Sequence, residues 1–135
     1  MELTELNYIA GFFDGEGSIC IIHNSSTSKA TSKYHLRCHV ANSNYDVLEW
    51  MRLDFGGSIR WNNGCYQLSL YGKYALRFLE LIVPYLKLKK ERADIAIKFQ
   101  KARSNGGPLP LSEKIKQDEI YQTFKNSKRY WEVKL

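Results

Sequence analysis

Residues 6–18 read Leu6-Asn7-Tyr8-Ile9-Ala10-Gly11-Phe12-Phe13-Asp14-Gly15-Glu16-Gly17-Ser18, an apolar helix that runs into two carboxylates one glycine apart and then directly into a strand. Leu6, Tyr8, Ile9, Phe12 and Phe13 spread around much of the circumference of residues 3–13, so this helix needs cover on more than one side. Ala10, Gly11 and Gly15 leave one flank bare enough for another backbone to approach. Asp14 and Glu16 fall at the C-terminal end, where the helix dipole already concentrates negative charge. Acids clustered at that end point to a cation or a reaction that requires them. Taken alone, Asp-Gly-Glu-Gly reads better as a solvated turn whose glycines stop the helix; joined to this helix and chain, that reading becomes the lesser one.

Working outward, residues 18–23 form a short β-rich run, with Ile19, Cys20, Ile21 and Ile22 apolar on both faces. Residues 24–32 are polar and read as a hairpin loop. Residues 33–41 alternate strictly: Lys33, His35, Arg37 and His39 on one face, Tyr34, Leu36, Cys38 and Val40 on the other. No acid occurs between Glu16 and Asp46, so the polar face suits phosphates and bases better than a mixed, merely solvated surface does. Ser43 or Asn44 caps a helix over 45–55, which Gly56-Gly57 ends. Residues 58–61 and 66–71 make a second hairpin across Asn62-Asn63-Gly64, with Arg60, Asn62, Gln67 and Ser69 at polar alternate positions. Helices follow over 73–83, ended by Pro84, and over 87–103, and a last one starts at Ser112. The order αββαββα plus C-terminal helices predicts an α+β fold: a four-stranded antiparallel, saddle-like sheet backed by helices, its other face polar. Such a face can enter a DNA major groove, which admits β-ribbons.

The chain's 135 residues suit one domain able to bury a core without staples. Cys20, Cys38 and Cys65 are odd in number and lack Cys-x-x-Cys spacing, which argues against a disulfide framework or a zinc site. The histidines have no carboxylate or thiol partner at metal-ligand spacing. No signal-peptide pattern or membrane-length apolar run is present, so a soluble intracellular protein is expected, in cytoplasm or organelle. The net charge of +6 is uneven: residues 1–83 hold seven Lys/Arg against eight Asp/Glu, residues 84–135 thirteen against six. A polyanionic partner follows, although a basic surface also confers solubility.

Ile9-Ala10-Gly11-Phe12-Phe13-Asp14-Gly15-Glu16-Gly17 resembles the signature of the LAGLIDADG homing endonucleases, with Glu16 where the family more often has aspartate. Arg60, the aromatic-rich strand near Tyr66 and Pro84-Tyr85-Leu86-Lys87-Leu88-Lys89 also fall where single-motif members carry comparable segments. The resemblance covers about residues 5–103 of a single domain, 1–135, with a helical extension over about 111–135. It implies a site-specific double-stranded DNA endonuclease, a homodimer acting on a long, partly palindromic site and hydrolysing phosphodiesters with divalent metal. Glu16 and the Gly15 carbonyl would hold Mg²⁺, or another divalent cation such as Mn²⁺ or, in a non-cleaving complex, Ca²⁺. Asp14 is expected to support the motif structurally.

Lys89 matches the family's basic residue near the cleaved phosphate, although Lys87, Lys89 and Lys90 also read as a solvated cluster. Asn42 matches a position that organises water near the metal, and it could equally end its strand. Ile9, Gly11, Phe12 and Gly15 are the expected dimer face. Lys33, His35, Arg37, His39, Arg60, Asn62, Gln67 and Ser69 are the expected DNA-contacting set. The alternative is a cleavage-deficient DNA-binding protein or an RNA intron-splicing maturase of the same fold, the only reading in which RNA is a partner. A third is a basic domain that binds another protein through its first helix.

Overall fold

A computed structural model describes residues 1–23, 34–102 and 111–127. The expected hairpin loop at 24–32, Lys33, the break at 104–110 and the basic, aromatic tail at 128–135 lie outside these residues. The order is α1 (Leu3–Glu16), β1 (Gly17–His23), β2 (Tyr34–Asn42), α2 (Tyr45–Phe55), β3 (Ser58–Asn62), β4 (Cys65–Tyr71), α3 (Gly72–Ile82), a 3₁₀ turn (Val83–Tyr85), α4 (Lys90–Lys101) and α5 (Leu111–Lys125). The strands form one antiparallel sheet in the order β1-β2-β4-β3, the expected α+β arrangement.

α1 runs through both acids and passes into β1 with no loop. The Gly17 N–H donates to the Phe13 carbonyl, and a Cβ at residue 17 would sit 2.2 Å from the Phe13 ring. Glycine is therefore required where the chain turns from helix to strand. The Asn44 side chain accepts the Val47 N–H at 3.1 Å and caps α2. Asn63 and Gly64, at φ of 48° and 91°, make the two-residue turn between β3 and β4, so each strand runs one residue further than its alternation suggests.

One sheet face meets the helices. Leu36, Cys38, Leu68, Phe13, Leu48, Met51, Phe78, Leu79, Ile82 and Phe99 are essentially inaccessible there. Phe78 packs edge-on against both Phe13 and Phe55 at about 5 Å between ring centroids. Each such side chain contributes roughly 1.5–3 kcal/mol on burial.

Two helix boundaries differ from the sequence expectation. Pro84 ends α3 as expected, but the chain continues as a 3₁₀ turn. The next helix starts at Lys90 rather than 87, because the backbone N–H groups of Lys87, Leu88 and Lys89 are held by Asp14. α5 is tied down twice. The Tyr34 hydroxyl donates to Asp118 and its ring stacks on Tyr121 at 4.7 Å. Arg92 of α4 donates to the Phe124 carbonyl and the Ser127 hydroxyl and lies 3.9 Å over the Phe124 ring, a cation at a helix C-terminus. All three cysteines are free thiols. Among the described residues, no helix is long and apolar enough to cross a membrane.

Candidate nucleic-acid interface and metal junction

Residues directly opposite in an antiparallel pair share a face, so register assigns the polar surface. Ser18, Cys20 and Ile22 pair with His39, Arg37 and His35. Arg37 and His39 pair with Tyr71 and Ser69, and Ser69 and Gln67 pair with Ser58 and Arg60. This settles β1: Ile19 and Ile21 are buried in the core, while Cys20 and Ile22 belong to the polar face. His35, Arg37, His39, Arg60, Asn62, Gln67 and Ser69 therefore lie together, and no described residue of these faces is an acid.

Arg37 donates to the Ser69 hydroxyl at 3.4 Å, its guanidinium lies 6.0 Å from the Tyr71 ring, and its Nε is buried without a partner. A hollow of about 400 Å³ opens here, walled by Arg37, Arg60, Ser58, Ser69, Trp61 and Tyr71 among others. His39 is less free than its place in the alternation suggests. Its Nδ1 is 2.8 Å from Gln67 Nε2 and its Nε2 is 3.9 Å from Cys20 Sγ. Burial, and secondarily Arg37, hold its imidazole below the usual value of 6.5.

The second locus is the end of α1. The Asp14 carboxylate is buried and accepts three successive N–H groups, from Lys87 at 2.7 Å, Leu88 at 3.2 Å and Lys89 at 3.1 Å. The Lys89 ammonium is itself buried and donates to the Asp14 carbonyl. Burial pushes Lys89 below the ordinary lysine range; Asp14 opposes that shift and Arg92 adds to it. Asp14 thus fixes the Leu-Lys-Leu-Lys segment against the motif, and the helix dipole faces a cation after all.

Glu16, two residues on, is exposed. Of the last helix carbonyls, which lack intrahelical donors, Phe13 takes the Gly17 N–H and Asp14 takes Lys89; Gly15 is next in line. Asn42 ends β2, two residues beyond Val40, which faces Gly17 at the start of β1. Its Oδ1 accepts the Asn44 N–H at 2.8 Å, so Asn42 does help turn the chain into α2. Among the described residues, no three of His, Cys, Asp and Glu gather into a metal-binding group. One carboxylate and a carbonyl still fit Mg²⁺, which is bound by one or two carboxylates and keeps several waters.

The exposed flank of α1 corrects part of the expected dimer face. Ile9 and Ala10 have no accessible surface and pack into the chain's own core, on the side shared with Phe13. Phe12 is half-buried, stacked with Tyr8 at 6.2 Å. Gly11 and Gly15 are exposed, and a Cβ on either would meet nothing within 4 Å. Among the described residues, nothing requires glycine at these two positions.

The chain thus joins a four-stranded α+β unit to a helix that ends in two acids, beside a sheet face that carries no carboxylate among the described residues. The family described as LAGLIDADG endonuclease matches residues 9–105, and the chain belongs to it. No curated protein matches at a comparable threshold. The fold resembles the archaeal intron-encoded homing endonuclease I-Vdi141I complexed with DNA (TM-score 0.72, 17% identity, covering 96% of this chain and 89% of that one). It also resembles I-CvuI with its target in 2 mM Ca (TM-score 0.68, 23% identity, 93% and 85%). I-SmaMI bound to uncleavable DNA aligns at TM-score 0.72 and 15% identity over 94% of this chain, which spans 46% of that chain.

Proposed function

We propose that two copies of this chain bind a long, partly palindromic DNA duplex and hydrolyse one phosphodiester in each strand. The observation that carries this reading is the junction at the end of α1. There Glu16 is exposed, Gly15 adjoins open space, and Lys89 is clamped to the same turn by Asp14. Glu16 and the Gly15 carbonyl would hold Mg²⁺ or a related divalent cation, which supplies an activated water and neutralises phosphate charge when bound. Lys89, whose buried ammonium is directed to the Asp14 carbonyl, would act as the cation of this junction, its positive charge opposing negative charge that develops on the phosphate or leaving oxygen. Its place depends on Asp14, which holds the backbone on which it sits. The Asn42 amide N–H groups remain to orient water, its Oδ1 being committed to Asn44.

One chain carries one such acid, so cutting two strands takes two copies. The Gly11 and Gly15 flank supplies a close-packing surface for the second, and a pair of these chains approaches the length of I-SmaMI, of which one spans 46%. The polar face of the sheet, with Arg37, His35, Arg60, Gln67 and Ser69, and with Lys33 beside it in sequence, contacts bases and phosphates along the major groove. The whole chain works as one unit, because Tyr34 and Arg92 fasten α5 to the sheet and to α4.

The test is a randomised duplex library incubated with protein and Mg²⁺, for the native chain and Glu16→Gln. Cleavage by the native chain, lost on substitution while binding persists, is expected. Sequence-specific binding without cleavage by the native chain would replace the enzyme with a cleavage-deficient DNA-binding protein. Preference for structured RNA would replace it with a maturase.

A further inference from the structure

A single run of side-chain hydrogen bonds crosses all four strands of the polar face. Asn62 Nδ2 on β3 donates to Gln67 Oε1 on β4 at 3.4 Å. Gln67 Nε2 lies 2.8 Å from His39 Nδ1 on β2, and His39 Nε2 lies 3.9 Å from Cys20 Sγ on β1. An amide nitrogen only donates, so His39 Nδ1 is the acceptor, and the ring proton sits on Nε2, facing the sulfur. Every bond in the run therefore points the same way, from β3 to β1.

A glutamine amide has two N–H donors and two carbonyl lone pairs. Gln67 uses one donor on His39 and one lone pair on Asn62. One donor and one acceptor remain, in an order fixed by the two neighbours. Adenine presents the complementary pair in the major groove: N7 accepts and the N6 amino group donates. Turning the amide end for end would break both bonds within the sheet and exchange the two remaining groups.

We propose that Gln67 reads an adenine, and that Asn62, His39 and Cys20 are positioning residues that hold its amide in the adenine-reading orientation. The inference rests on the DNA-binding function proposed above and adds one base and one orienting network to it. It makes His39 a positioning residue rather than a base contact, since both ring nitrogens are engaged within the sheet. The titratable and charged groups sharing this face are Cys20, His35, Arg37, Arg60, Cys65 and Tyr71, with no carboxylate among the described residues to draw a second proton onto His39. Its low imidazole value agrees with the neutral ring that the geometry requires.

The test combines base preference with the His39 tautomer. A randomised duplex library is retained on the native dimer without divalent metal and sequenced, and the same is done for Gln67→Leu, His39→Phe and Asn62→Asp. In the native protein one position per half-site shows an adenine preference of about tenfold or more. Gln67→Leu erases it there and leaves other positions unchanged. Asn62→Asp, at an exposed site, presents only acceptors to Gln67 and turns its amide, so the same position loses adenine with no change of fold. His39→Phe weakens it likewise, and His39→Phe combined with Gln67→Leu is no worse than Gln67→Leu alone.

In DNA-free protein, ¹⁵N spectra show the His39 proton on Nε2 in the native chain and shifted to Nδ1 in Asn62→Asp. Adenine preference that survives Gln67→Leu, or that is indifferent to both Asn62→Asp and His39→Phe, overturns the inference. So does a native Nδ1 proton. Binding with no sequence preference at all, together with the Nε2 tautomer, would instead bring down the DNA-recognition reading and this inference with it.

Discussion

Gly11→Ala separates what the single chain needs from what the assembly needs. In a helix interior alanine is favoured over glycine by about 0.8–1 kcal/mol, and the added methyl meets nothing within 4 Å in the chain itself. The isolated chain should gain about 1 kcal/mol, a rise in Tm of roughly 3–5 °C for a domain of this size. If two α1 helices cross at this flank, two methyls enter a close backbone contact. Overpacking costs about 1–3 kcal/mol each, so the dimer weakens roughly 30-fold to 20,000-fold. Sedimentation across a concentration series gives the dissociation constant, and melting curves at the same concentrations give stability. Gly17→Ala is the control of opposite sign, since its Cβ would strike the Phe13 ring at 2.2 Å and destabilise the chain at every concentration. A Gly11→Ala protein with higher Tm, unchanged self-association and unchanged DNA cleavage would refute the assignment of this flank to a second copy.

Asp14→Asn should cost about 2–4 kcal/mol in urea unfolding, because the carboxylate accepts three N–H groups and an amide offers only one acceptor oxygen; an unchanged midpoint would remove its structural role. His39 has a folded pKa below the usual 6.5, so its contribution is complete above that pH and is lost as pH falls from 6.5 toward the folded value. His39→Phe should flatten this part of the stability profile, and persistence of the same slope would contradict the cause given. Tyr34→Phe should cost about 1 kcal/mol and raise amide hydrogen exchange in α5 more than in α1, since the hydroxyl joins Asp118. The Tyr34 hydroxyl is pushed up to about 12 by burial and then by Asp118, so this fold loses stability from that group as pH rises from 10 toward 12.

Period and composition made the sheet legible. Strict alternation over β2 and the Asn63-Gly64 turn give its faces and one hairpin, and of the two caps that the sequence offers for α2, Ser43 and Asn44, it is Asn44 that accepts the Val47 N–H. β1 was ambiguous because Ile19, Cys20, Ile21 and Ile22 are all apolar, and only pairing with β2 decides which of them face the core. The start of α4 differs from its sequence expectation because its boundary is set by a carboxylate more than seventy residues away, and capping rules read only neighbours. Ile9 looked like interface because apolarity around a helix does not say which side its own chain will cover. The roles proposed for Glu16, Gly15 and Lys89 rest on family resemblance, since no spacing rule singles them out. The Asn62-Gln67-His39-Cys20 run left no trace in spacing, since each member lies on a different strand.

Each of two chains is expected to cut one strand with its own Glu16. Mixed dimers of native and Glu16→Gln chains, formed with distinguishable tags and isolated, test it on a supercoiled plasmid carrying the selected site with Mg²⁺ present. Native dimers should linearise the plasmid, Glu16→Gln dimers should bind it uncut, and mixed dimers should give mainly nicked circles. Linear product at the native rate from mixed or doubly substituted dimers would contradict one cut per Glu16.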